Sequence, residues 1–344
     1  MSESEHTEDS LPEAPPHHAP NGKFRNPWGL KESRFAGLLR WRWNRVRHPL
    51  PRDDGARSLQ GVPSSVRVPR APANEIAVTW VGHSTLLVQL GAINILTDPV
   101  WSDRASPWRV VGPRRLIPAA LPLDALPPID IVLLSHNHYD HLDAWSVRAL
   151  ARAQPTAQWV VPLRLGVVVR SLGVRYITEL DWWDEGTVGD ATVACTPARH
   201  FSARTPFDRN RTLWCGFAVA SSAGRLFYAG DTGLHPEFAR IGERFGPFVV
   251  SAIPIGAYEP RWFMQPVHVD PDDAITAFRA LHAHHGPLAR AVMVGVHWGT
   301  FRLTDEPILE PPRRIREAWK RAMLPEENLW VLAHGETRGM RTEQ

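Results

Sequence analysis

From residue 76 onward, short apolar runs bounded by glycine, proline or polar residues punctuate the chain. The runs at 76–80, 85–90 and 93–96 have the composition of strands, with Gly82 and Gly91 at the turns between them. The run 131–134 is wholly apolar, which suits a strand deep inside a sheet. Further strands are predicted at 159–161, 176–180, 192–196, 213–219, 226–229, 249–253, 291–296 and 329–332. Helical stretches fall near 144–153, 165–172, 237–245, 272–284 and 313–323. Strands interleaved with helices predict an α/β protein whose sheet layers are covered by helices. No repeat and no natural break follows residue 73, so residues 73–344 are expected to form one domain.

The pattern before residue 73 is different. Residues 1–24 hold Glu, Ser, Pro and His with almost nothing to bury, and are expected to be a disordered tail with His17 and His18 solvated. Residues 25–72 form a second segment. Within it, residues 29–46 mix Leu30, Phe35, Leu38, Leu39, Trp41, Trp43 and Val46 with Lys31, Arg34, Arg40, Arg42 and Arg45. A basic amphipathic helix of this kind either lies at a lipid headgroup boundary or packs on the domain with its arginines in water. Residues 48–72 are rich in Pro and Gly and read as a linker or long loop.

Composition narrows the function classes. The 43% hydrophobic and 22% charged residues are ordinary for a globular protein. A net charge of +3 is too mild to argue for nucleic acid, and no basic recognition patch interleaved with aromatics covers the later chain. No apolar stretch is long enough for a spanning helix, and the N-terminus lacks the pattern of a secretory signal. The expectation is a cytoplasmic protein, with peripheral attachment to the inner face of a membrane left open. Cys195 and Cys215 form no C-x-x-C pair and read as buried thiols in a reducing compartment.

The sharpest chemical signal follows the apolar run 131–134. There His136, His138, Asp140 and His141 arrive within six positions. Alternate residues of an extended loop point the same way, so His136 and His138 can converge on one ion. Asp140 and His141 follow at the start of a helix, from where they can face a second. Imidazole nitrogens and a carboxylate are ligands that a borderline divalent ion such as zinc accepts. His200, Asp231 and His297 each sit just past a predicted strand, where binding residues of α/β folds collect.

In this order the seven residues resemble the metallo-β-lactamase superfamily. That resemblance implies an αββα four-layer sandwich holding two divalent metal ions, with Zn2+ the expected pair. It also implies that His136, His138 and His200 hold the first metal, Asp140, His141 and His297 the second, and that Asp231 bridges them. Longer blocks are similar to the phospholipases D that cleave N-acyl phosphatidylethanolamine: Trp80-Val-Gly-His-Ser-Thr85, Thr97-Asp-Pro99, Leu180-Asp-Trp-Trp183, 252–264 and His297-Trp-Gly-Thr-Phe301. The likeness runs from about residue 24 to 338, and departs at Val267, where glutamine would precede His268.

The resemblance implies a phosphodiesterase releasing phosphatidic acid and an N-acylethanolamine, with a phospholipid as substrate. Asp140 and Asp98 would serve catalysis, Asp98 by orienting a ligand histidine. His268 would contact the phosphate or the leaving oxygen and supply a proton. Trp183, Tyr258 and Trp262 would line an acyl channel, and Arg261 would help hold phosphate. His83 and His334 are expected to be structural, and His282, His284 and His285 to lie on a solvated helix face. A homodimer is left open. The alternatives are the same fold acting on a lactone or a soluble phosphodiester and, in another class, a nucleic-acid-binding protein, ranked last.

Overall fold

The computed structural model describes residues 14–29, 35–50, 53–108, 110–286 and 291–342. The strands are β1 (Glu75–Gly82), β2 (Thr85–Leu90), β3 (Ile93–Thr97), β4 (Ile131–Leu133), β5 (Gln158–Pro162), β6 (Tyr176–Leu180), β7 (Glu185–Val188), β8 (Ala191–Thr196), β9 (Gly216–Ser221), β10 (Gly224–Tyr228), β11 (Val250–Pro254), β12 (Val292–Val296), β13 (Leu329–Trp330) and β14 (Thr337–Arg341). The helices are α1 (Phe35–Arg47), α2 (Ala144–Ala153), α3 (Gly166–Ser171), α4 (Phe238–Phe245), α5 (Arg261–Met264), α6 (Pro271–Leu281) and α7 (Glu310–Arg321). Two mixed sheets result, in the orders β14-β1-β2-β3-β4-β5-β6 and β13-β12-β11-β10-β9-β8-β7.

The period-two alternation of strands explains the layering. Ile131 and Leu133 of β4, Val160 of β5, and Leu86 and Val88 of β2 join the core shared with the second sheet. Val132, Trp159, Val161 and Leu87 turn to the other face, where Val147 and Leu150 of α2 and Val169 of α3 cover them. Phe238 and Ile241 of α4, Ala274 and Phe278 of α6, and Ile315 and Trp319 of α7 close the far side of the second sheet. Strands buried on both faces account for the unbroken apolar runs in the sequence. The architecture is the expected αββα sandwich. Among the described residues no helix is long and apolar enough to cross a membrane. Both cysteines are free and buried.

The N-terminal expectation needs correcting. Residues 1–13 lie outside the described residues, but residues 14–29 pack against the sandwich. His17 is buried and its Nε2 lies 2.6 Å from Asp181 Oδ1, while His18 Nε2 lies 2.7 Å from Oδ2 of the same carboxylate. Phe24 is buried in the core. Trp28 stacks on Trp182 and His235 at 5.6 and 4.7 Å. The partners lie more than 150 residues away, so no local reading of the segment could show them.

α1 is docked at one end and open along another face. Trp41 Nε1–H donates to Asp305 Oδ2 at 2.8 Å, Arg45 pairs with Asp305 at 3.1 Å, and Trp41 packs on Phe263. Leu39, Trp43 and Val46 remain exposed. The helix therefore packs on the domain and still presents an apolar face.

Candidate metal centre

Every residue of the centre follows the C-terminal end of a strand, three from each sheet. His83 follows β1, Asp98 follows β3 and the 135–141 loop follows β4; His200 lies past β8, Asp231 past β10 and His297 past β12. The parallel register Thr97↔Leu133 sets Asp98 beside Ser135. The turn into Asp231 requires glycine: Gly230 has φ +59°, and a Cβ there would lie 2.7 Å from the Cys215 carbonyl oxygen. His83, Asp98 and His297 themselves hold φ of 56°, 30° and 63°. Non-glycine residues in the left-handed region cost energy and cluster at functional sites.

Two sets of donor atoms converge, each within 4.8 Å: His136, His138, His200 and Asp231, and His83, Asp140, His141 and His297. In the first set, His138 Nδ1 lies 2.8 Å from His136 Nε2 and 3.2 Å from His200 Nε2. These separations approach the edge of roughly 3.3 Å expected of a tetrahedron with zinc–nitrogen bonds of about 2.0–2.1 Å. Asp231 Oδ2, a member of the first set, also reaches two imidazoles of the second. It lies 3.9 Å from His136 Nε2, 3.7 Å from His200 Nε2, 3.1 Å from His141 Nε2 and 3.2 Å from His297 Nε2. Asp140 Oδ2 lies 3.4 Å from both His141 Nε2 and His297 Nε2.

Hydrogen bonds on the far side of each ring fix which nitrogen faces the centre. Ser135 Oγ donates to Asp98 Oδ2 at 2.6 Å and so accepts from His136 Nδ1–H at 2.9 Å. His141 Nδ1–H donates to Asp98 Oδ2 at 2.6 Å, and His200 Nδ1–H to the Val267 carbonyl at 2.9 Å. All three rings therefore turn Nε2 inward, as metal-ligating imidazoles do. Asp231 Oδ1, His141 Nε2 and both His297 ring nitrogens are buried with no hydrogen-bond partner. Buried polar atoms left this way are costly unless something takes them up.

The electrostatics agree. Burial, reinforced by neighbouring imidazoles, pushes His136 and His200 well below the ordinary histidine range, and burial pushes His138 down to about 4. Their lone pairs are free at neutral pH. Burial also works against charge on His141 and His297, but Asp231 and Asp140 outweigh it, holding His141 well above its usual value and His297 up at about 9. The two carboxylates are held ionised against burial, chiefly by these imidazoles. The carboxylate pair thus demands positive charge, which a divalent cation meets by displacing the protons.

His138, Asp140 and His268 are only half-buried, so the centre opens to solvent on their side. His268 lies beside it, its ring 5.0 Å from that of His200, with Nδ1 buried and unpartnered.

Other candidate residues are committed to partners outside the two donor sets, with one exception. Tyr258 is buried and its hydroxyl donates to Glu310 Oε1 at 2.8 Å, so it offers no surface to an acyl chain. Trp183 stacks on Phe245 with the Arg240 guanidinium over its ring. Arg261 is committed to Asp273 at 2.6 Å and to the His268 carbonyl at 3.0 Å, so it holds the His268 loop instead of a phosphate. Trp262 is exposed, beneath Arg40 of α1. His282 is buried, with Nε2 3.3 Å from Ser251 Oγ, and His285 bonds the Gly242 carbonyl; of that trio only His284 is exposed as expected. His334 is structural, its ring packed at a tilt on Trp80 and bonded to Thr300. His83 is not merely structural: its Nε2 lies 3.0 Å from Asp140 Oδ2. Its position straight after a strand, like that of every other centre residue, was the signal available in the sequence.

Residues 93–298 match a family described as "Beta-lactamase superfamily domain". Over 250 residues, 70% of this chain and 68% of the relative, the sequence is 40% identical to N-acyl-phosphatidylethanolamine-hydrolyzing phospholipase D 1 of Caenorhabditis elegans. The chain belongs to the metallo-β-lactamase superfamily, in the family of N-acyl phosphatidylethanolamine-hydrolysing phospholipases D. A member with no assigned activity, an uncharacterized protein of Mycobacterium tuberculosis, is 43% identical over 270 residues, 78% of this chain and 70% of that one. The superfamily fold is matched by Igni18, a metallo hydrolase from the archaeon Ignicoccus hospitalis, with a TM-score of 0.57 and 21% identity over 78% of this chain and all of that one. The superfamily identity and the His/Asp clusters make the chain a metal-dependent hydrolase.

Proposed function

We propose that this protein is a phosphodiesterase of the phospholipase D type, hydrolysing N-acyl phosphatidylethanolamine to phosphatidic acid and an N-acylethanolamine. The observation that carries this reading is the shared oxygen of Asp231, approached by four imidazole nitrogens from two donor sets. In it His136, His138 and His200 would hold one divalent ion, Asp140, His141 and His297 would hold a second, and Asp231 would serve both; the nitrogen-rich donors favour zinc. When bound, such a pair supplies a nucleophile from water at neutral pH and neutralises charge on phosphoryl oxygens. The substrate class comes from the worm relative's activity.

The chain's own groups do the rest. Asp98 holds His141 in the tautomer that presents Nε2. Arg261, braced on Asp273, fixes the backbone of His268. Burial of the His268 ring pushes it down to about 4, so it is neutral at pH 7 and suits a hydrogen bond to phosphate or leaving oxygen better than proton donation. In the hydrolysis, a new bond joins water oxygen to phosphorus, the bond from phosphorus to the N-acylethanolamine oxygen breaks, and that oxygen takes up a proton equivalent to the one the water gives up. Trp262 and the exposed Leu39, Trp43 and Val46 give an apolar surface on and beside the loop that carries His268, suited to acyl chains at a membrane surface. Residues 14–342 act in this reading as one catalytic domain.

Mass spectrometry of mixed lipid vesicles incubated with purified protein tests the proposal. Wild type should consume N-acyl phosphatidylethanolamine with equal gain of phosphatidic acid, and Asp140→Asn should not. Loss of the lipid with both proteins, or with neither, would sink it. Turnover of a soluble phosphodiester without lipid loss would favour the same centre acting on another substrate.

A further inference from the structure

We propose that His83 is a positioning residue that holds Asp140 toward His141 and His297; the inference rests on the ligand assignment above. His141 and His297 each approach both carboxylates, Asp140 at 3.4 Å and Asp231 at 3.1 and 3.2 Å. His83 is paired with Asp140, at the hydrogen-bonding distance of 3.0 Å. His83 Nε2 pairs with Asp140 and not with Asp231, so its Nε2–H donates to the Oδ2 that faces His141 and His297. Asp140 is half-buried at the mouth of the centre. Without that donor, the carboxylate is free to turn toward solvent.

The protein goes to some length to hold this ring. His83 adopts φ 56° in the turn between β1 and β2, where a glycine would be unstrained. Three bonds lock its backbone. Its N–H donates to Thr300 Oγ1 at 2.6 Å, and its carbonyl accepts from Trp80 Nε1 at 2.9 Å and from the backbone N–H of His297 at 3.1 Å. Thr300 Oγ1 lies in turn 3.0 Å from His334 Nε2. The side chain is 1% exposed, its ring 4.1 Å from that of His297 and tilted to it, and its Nδ1 is buried with no partner. A turn selected only for the hairpin has no use for a strained, half-satisfied imidazole. The bond to Asp140 gives it one.

Two substitutions separate the roles. Gln places an amide N–H where His83 Nε2 stands; Asn, which tolerates a positive φ, places it only where Nδ1 stands. The measurement is zinc(II) affinity of the full-length protein by competition with a chromophoric chelator. His83→Asn should leave one of two affinities unchanged and lower the other by roughly 10–100-fold, as loss of a ligand-orienting partner does. His83→Gln should stay within a few-fold of wild type. In an Asp140→Asn background, His83→Asn should add less than about twofold, because coupled residues are not additive. Two unchanged affinities in His83→Asn, His83→Gln as damaging as His83→Asn, or full additivity with Asp140→Asn would each overturn the proposal. Wild type holding fewer than two ions would sink the ligand assignment beneath it. No outcome depends on which lipid is cleaved.

Discussion

Asp98→Asn separates orientation of a ligand from ligation itself. Asp98 is fully buried and accepts from Ser135 N–H at 2.7 Å, Ser135 Oγ at 2.6 Å, His141 Nδ1–H at 2.6 Å and the Tyr228 hydroxyl. Asparagine keeps the shape and tolerates the φ of 30°. Its carbonyl can serve the Ser135 N–H, which leaves the amide NH2 where Oδ2 stood. The two hydroxyls can turn round to accept from it. His141 Nδ1–H cannot, and either remains unpaired or moves its proton to Nε2, where the lone pair for the metal is lost. One buried donor left unsatisfied costs about 1–3 kcal/mol. Urea unfolding of the metal-free variant should show that loss, and chelator competition a fall of roughly 10–100-fold in the affinity of one ion. An Asn variant with wild-type stability and two wild-type affinities would refute the orienting role.

Other consequences are equally direct. Gly230→Ala puts a Cβ 2.7 Å from the Cys215 carbonyl oxygen at φ +59°, so thermal melts should show at least about 1–2 kcal/mol of destabilisation; an unshifted melt contradicts the turn geometry. His235 and His334 are pushed down to about 3 by burial. Below pH 6.5 the unfolded chain binds protons that the fold refuses, so their contribution to stability is full above pH 6.5 and lost as pH falls toward 3. His235→Phe fills the slot between Trp28 and Phe238 without two unpartnered nitrogens, and should flatten the decline in melting temperature between pH 7 and 4; an unchanged slope would count against this. Asp305→Ala removes two anchors of α1, and should expose its arginines to trypsin ahead of the sandwich; identical cleavage kinetics would mean that those anchors do not hold α1.

The sandwich was legible because its central strands are apolar on both faces, and the centre because its ligands follow those strands. What the sequence hid was set by long-range pairing. β14 carries Thr-Arg-Gly-Met-Arg and is a strand only because Glu75 to Thr79 bond to it; β7 is a half-exposed edge strand. The segment 14–29 has little apolar surface, and its docking rests on Asp181, Trp182 and His235. Tyr258 and Trp183 lie in family-specific blocks, yet their side chains serve Glu310 and Phe245; a motif gives position, not direction. A lone histidine in a tight turn, such as His83, has a structural use ready to hand, and only the approach of Asp140 shows another.

The central claim is that Asp231 joins two metal subsites. Elemental analysis of purified, desalted protein tests it most directly. Wild type should carry two divalent ions per chain, and Asp231→Asn, which preserves shape but withdraws the shared charge, should carry fewer than one. A wild-type protein free of metal under zinc-replete conditions, or an Asp231→Asn variant that keeps both ions, would contradict the account.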